Sequence, residues 1–117
     1  MGDNTQVPVP TAIPLPLEFL GDFCRERGIV CLEVFGSILG AEFGPDSDID
    51  FLFTLRPQIT NDVSLMDIVD WEQELSQALG RTVELTERLG VEESRNPHSR
   101  TAILESAEVL IDLAQAA

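Results

Sequence analysis

Lysine and tyrosine are absent from this chain of 117 residues, histidine and tryptophan occur once each, and cysteine twice. Without lysine there is no Walker-type phosphate loop, no Schiff base and no polybasic membrane anchor. Without tyrosine the chain cannot modify itself on a tyrosine. The seven basic residues are all arginines and face 21 acids, which leaves a net charge of −14. Such a surface repels a polyanion, so no direct nucleic-acid contact is expected; a basic partner protein or a divalent cation suits it better. Cys24 and Cys31 sit among apolar neighbours, which predicts buried free thiols and a reducing, cytoplasmic setting. Proline, glycine or charge interrupts every apolar run, so no membrane span is expected. Met1 to Pro16 lacks the basic and apolar regions of a secretory signal.

One domain fits this length, and the 44% hydrophobic content suffices for a single core. Residues 1–14, with Pro8, Pro10 and Pro14, carry no helical or strand period and read as a mobile or extended N-terminal arm. Residues 15–117 then form the domain. A helix is expected from about Leu15 to Arg27, with Leu17, Leu20, Phe23 and Cys24 as its apolar stripe and Gly28 as its stop. Ile29 to Phe35 reads as a buried strand, broken by Gly36-Ser37. A short helix is expected over Ile38 to Phe43, then a strand from Ser47 to Leu55.

Ser64 and Asp67 form a capping-box pattern that opens a helix to Leu79, with Leu65, Ile68, Val69, Leu75, Ala78 and Leu79 facing inward. Trp71 is expected at the edge of the core. A third strand follows at Arg81 to Thr86, a helix from Asn96-Pro97, and a closing strand at Glu108 to Leu113. The Glu72/Glu74 and Glu92/Glu93 pairs read as solvated faces. This alternation predicts an α/β fold, a mixed sheet flanked by helices.

The chemistry concentrates in Phe35-Gly36-Ser37, followed after ten residues by Asp48-Ile49-Asp50. Residues two apart on a strand share a face, so Asp48 and Asp50 are expected to project together. Their mutual repulsion raises one pKa unless a cation lies between them, and Mg²⁺ suits such oxygen donors. A glycine at 36 lets the backbone approach a ligand, Ser37 can donate to a phosphate oxygen, and a following helix would aim free N–H groups at an anion. Phosphoryl and nucleotidyl transfer need little beyond in-line positioning and two metal ions. Glu84, on the polar face of the third strand, is the candidate third carboxylate.

The segment Phe35-Gly36-Ser37…Pro45-Asp46-Ser47-Asp48-Ile49-Asp50 resembles the signature of the minimal nucleotidyltransferases, in the superfamily of DNA polymerase beta and the aminoglycoside nucleotidyltransferases. Leu79-Gly80-Arg81-Thr82-Val83-Glu84-Leu85 and Asn96-Pro97…Ile103-Leu104…Val109-Leu110 follow in the family's order. The resemblance implies that Asp48, Asp50 and Glu84 bind Mg²⁺, with two ions, and serve in catalysis, while Gly36 and Ser37 hold the triphosphate of ATP. It further implies an antitoxin that binds a HEPN-domain RNase toxin in a hetero-oligomer and adenylylates a tyrosine near its active site.

Two departures bear on activity. The family commonly reads Gly-Ser-Arg-Ala-Arg-Gly where this chain has Gly36-Ser37-Ile38-Leu39-Gly40-Ala41, and the third acid is usually Asp rather than Glu84. A slow enzyme is expected, or one that binds nucleotide without turning it over. Two alternatives therefore stand beside the adenylyltransferase: an antitoxin that acts by binding alone, and a transferase acting on a small hydroxylated molecule. The second is disfavoured because 117 residues leave little chain for an acceptor pocket.

Overall fold

A computed structural model describes residues 11–113. Helix α1 (Leu17–Arg27) precedes strand β1 (Ile29–Phe35), which leads through a 3-10 turn (Gly36–Leu39) and a loop to β2 (Ile49–Leu55). A second 3-10 turn (Pro57–Ile59) leads to α2 (Leu65–Leu79) and β3 (Val83–Glu87). The chain continues through α3 (Arg88–Glu92), α4 (Pro97–Ser106) and β4 (Glu108–Asp112). The four strands form one mixed sheet in the order β3-β2-β1-β4, in which β2 and β3 are parallel and the other pairs antiparallel. That is the expected α/β architecture. The arm at residues 1–10 lies outside the described residues; just after it, Ala12 N donates to Ile38 O.

Local signals explain the principal elements. Gly28 ends α1 and Gly80 ends α2 in the left-handed conformation, at φ +76° and +71°. Ser64 caps α2 through a complete capping box with Asp67. The core lies on one face of the sheet, where Leu20, Phe23 and Cys24 of α1 and Leu75 of α2 meet Leu32, Val34, Ile49, Phe51, Phe53, Val83 and Leu85. Trp71 stacks edge-on against Phe53 at the border of this cluster, as expected. Leu65 is 75% exposed and Ala78 is exposed, so neither belongs to the inward face of α2. Leu65 is the first residue of the helix.

The expected helix over 38–43 is replaced by the 3-10 turn Gly36–Leu39, closed by Gly40 N donating to Ser37 O. Gly40 then takes an extended conformation, and its freedom from side-chain constraint removes the drive to continue a helix. The strand expected from Ser47 starts at Ile49 instead, so Asp48 stands just outside β2.

Glu72 is not merely solvated: its carboxylate accepts from Leu85 N at 2.8 Å, and Ser76 Oγ accepts from Val83 N at 2.9 Å. These two α2 side chains satisfy outward-facing donors of edge strand β3, which blunts that edge against pairing with another chain. Glu74 pairs with Arg27 of α1, and Glu92 pairs with Arg88.

Candidate active site

The second face of the sheet carries the polar chemistry. On β2, Ile49, Phe51 and Phe53 enter the core, so Asp50, Leu52 and Thr54 project to the opposite side. Leu52 is nonetheless fully buried, because α3 packs against β2 and β3 on that side. Asp50 lies opposite Phe35 on β1 and beside Glu84 on β3, so pairing on both flanks determines its surroundings.

Gly36 follows Phe35 at φ +85°, and a Cβ built on it would stand 2.6 Å from Asp50 Oδ2. Glycine is therefore required twice, for its conformation and for the room it leaves the carboxylate. Ile38, at a position where the family commonly has arginine, is fully buried in the core and anchors the turn. Ser37 stays exposed on the same turn. Since the turn is only four residues long, it offers backbone N–H groups without the sustained dipole of a helix.

Asp50 is pushed up from 3.8 to about 6, first by burial, then by the charges of Glu84 and Asp48 and by a hydrogen bond with the Glu84 side chain. Asp50 and Glu84 thus meet as a carboxyl pair. Asp48 acts on Asp50 through its charge but lines a separate hollow of about 480 Å³, with Pro45, Ser47, Gln77 and Arg81. Among the described residues, no three His, Cys, Asp or Glu side chains are grouped as a metal ion would require. In chemistry the donors still suit a hard divalent ion: they are carboxylate oxygens, and the crowding that raises Asp50 is what a bound cation relieves.

Two arginines organise the surroundings of the site. Arg81 Nη1 donates to Gly44 O at 2.9 Å, Ser47 O at 3.1 Å and Pro45 O at 3.3 Å, while its guanidinium lies 4.4 Å from the Phe43 ring centroid. It pins the loop that delivers Asp48 to β2. Arg88 donates to both oxygens of Glu33, at 2.7 and 2.8 Å. Glu33 is only 6% exposed, and both of its carboxylate oxygens accept from Arg88 Nη1. Sequence reasoning missed both arginines. A charged residue inside the apolar strand Ile29–Phe35 was the available signal for a buried pair, but its partner lies 55 residues away.

Gly36, Asp50 and Glu84 are therefore brought together, Ser37 borders them, and Asp48 reaches them by its field. His98 is exposed in the first turn of α4, where its backbone N–H donates to Asn96 Oδ1. Both cysteines are free; Cys24 is buried, whereas Cys31 is half-buried. Burial pushes their thiols up to about 12 and about 11, respectively.

No curated protein matches this chain. Several solved structures share its fold. A toxin-antitoxin crystal structure with AMP-PNP superposes with a TM-score of 0.65 at 16% identity, covering 87% of this chain and 77% of the other. A complex of tri-AMPylated Shewanella oneidensis HEPN toxin with MNT antitoxin gives 0.58 at 16% identity, covering 86% and 72%. A protein described as a candidate minimal nucleotidyltransferase gives 0.57 at 27% identity, covering 80% of this chain and 95% of its own. The family model of the nucleotidyltransferase domain matches residues 17–110, which run from the start of α1 into β4. The chain belongs to the nucleotidyltransferase domain family.

Proposed function

We propose that this protein is a Mg²⁺-dependent adenylyltransferase that moves AMP from ATP to a hydroxyl, that of a tyrosine, on a HEPN-type RNase toxin and thereby acts as its antitoxin. The observation that carries this reading is the Asp50–Glu84 pair set against the Gly36 turn, with the Asp50 carboxyl raised to about 6. Family membership and the toxin-antitoxin complexes among its structural neighbours support the choice of reaction and partner.

Asp48, Asp50 and Glu84 are the residues that would hold magnesium. When bound, the ions would neutralise charge that develops on the attacking and leaving oxygens. The chain's own contribution is placement. The backbone at Gly36 and the Ser37 hydroxyl hold triphosphate oxygens beside β2. Asp50 or Glu84 takes the proton from the acceptor hydroxyl as its oxygen bonds to the α-phosphorus. The bond from the α-phosphorus to the bridging oxygen breaks, and pyrophosphate leaves.

Intact mass of the toxin, measured after incubation with this protein, ATP and Mg²⁺, tests the reading. A gain of one or more AMP units, absent with Asp48→Asn, is expected. An unchanged mass refutes transfer. The second reading, an antitoxin that neutralises by binding alone, is favoured by the burial of Ile38 where the family commonly has arginine and by the use of Arg81 on loop carbonyls. It predicts that Asp48→Asn combined with Asp50→Asn still neutralises the toxin.

A further inference from the structure

The face of the sheet that bears Asp50 and Glu84 also holds a cavity of about 560 Å³, within the size range of ligand pockets. Its floor is Cys31, Glu33 and Thr54, and α3 supplies one wall through Arg88, Leu89 and Glu92. Thr54 is four residues along β2 from Asp50, a separation of about 13 Å on the same side of the strand. Two large apolar side chains flank this region in solvent. Leu89 lines the cavity and is 46% exposed; Val109, paired with Glu33 across β1 and β4, is 45% exposed. The structure thus leaves Leu89 and Val109 uncovered on the side of the sheet that bears the carboxylates.

Charge selects the occupant. The lining contains Glu33, Glu87 and Glu92 against one cation, Arg88, and that guanidinium is already engaged by Glu33 and Glu92. Leu55, Pro57 and Leu89 give the pocket an apolar part, and its charge is negative in balance, on a chain of charge −14. A second copy of so acidic a chain would be repelled, and an anionic ligand would find no free cation in the lining.

We propose that this cavity is a docking pocket for a bulky apolar side chain flanked by basic residues on the protein that receives the nucleotide. The identity of that protein as acceptor rests on the function proposed above; the chemistry of the pocket does not. Seating such a side chain here would hold the acceptor on the face where its hydroxyl can meet Asp50, so the pocket contributes orientation rather than chemistry.

The test is an NMR titration of the full ¹⁵N-labelled chain with the blocked tripeptide acetyl-Arg-Trp-Arg-amide, with acetyl-Glu-Trp-Glu-amide as its counterpart. Shifts are expected at the amides of Cys31, Thr54 and Leu89, about tenfold weaker with the acidic peptide and weakened by Leu89→Ser. Leu89 is exposed enough that this variant keeps its spectral dispersion. No shift at these amides, or equal shifts with both peptides, overturns the proposal whatever the transfer assay gives. In parallel, Leu89→Ser should raise KM for a HEPN-type toxin about fivefold or more without changing affinity for AMP-PNP and Mg²⁺. Peptide binding at the pocket without any AMP transfer would defeat the function reading and leave the pocket standing. Transfer without peptide binding would do the reverse.

Discussion

Replacing Asp50 by Asn should make the metal-free protein more stable while ending transfer. In the fold, burial and the charges of Glu84 and Asp48 raise the Asp50 carboxyl from 3.8 to about 6. As pH rises from 4, the unfolded chain gives up this proton first, so the folded state binds more protons and loses stability until both states are ionised near pH 7. Each pH unit between the two values is worth about 1.4 kcal/mol, which sets a ceiling of about 3 kcal/mol. Asp50 is partly solvated, and screening reduces this to about 1–2 kcal/mol. An amide removes the charge, nearly preserves the shape and can donate to Glu84.

Thermal unfolding of wild type and Asp50→Asn, measured in a metal chelator from pH 4 to pH 8, checks the argument. The variant should melt about 3–8 °C higher at pH 7.5 and within about 1 °C of wild type at pH 4. Added Mg²⁺ should raise wild type and narrow the gap, because a cation relieves the same repulsion. A variant less stable than wild type at pH 7.5, or a gap that does not change with pH, would refute the electrostatic account.

Other substitutions probe the supports of the site. Gly36→Ala meets both a positive φ and the Asp50 oxygen, so it should cost about 1–3 kcal/mol in denaturant melts and weaken AMP-PNP binding measured by calorimetry. Arg88→Ala strands the Glu33 carboxylate in the fold and should cost about 3–5 kcal/mol at pH 7.5. Adding Glu33→Gln to it should recover part of that loss, a coupling that chemical denaturation of the double mutant would read. Arg81→Ala removes the tie from the loop to the segment that joins α2 to β3; hydrogen exchange at residues 43–47 should accelerate, with a stability loss of about 1–3 kcal/mol.

Much of the architecture was legible because its signals are local. Gly28 and Gly80 stop their helices, Ser64 and Asp67 close a capping box, and Ile29–Phe35 is a short run rich in β-branched and large apolar residues between two glycines, which reads as a strand. Elsewhere in the chain, local preference is outweighed. Gly36-Ser37-Ile38-Leu39 tightened into a 3-10 turn because Ile38 is drawn into the core and Gly40 releases the chain. The short helix Arg88–Glu92 is not legible in the sequence, since five residues carry too little period to announce a helix. Glu72 read as solvated because nothing near it in sequence shows that the Leu85 amide needs an acceptor.

The candidate site divides in the same way. From sequence alone come the residue types and the spacing: a glycine turn at 36, acids at 48 and 50, and an acid on the polar side of the strand that carries Val83 and Leu85. Tertiary structure decides which of them meet. Strand pairing sets Asp50 between Phe35 and Glu84, while Asp48, one residue outside β2, turns to the hollow beside Arg81. It also decides that Arg88 sustains Glu33 and that a cavity opens beside the pair. Helix caps and strand periods act over a few residues and can be read in order along the chain. Register, burial and charge pairing join residues tens of positions apart, and they acquire values only when the sheet has closed.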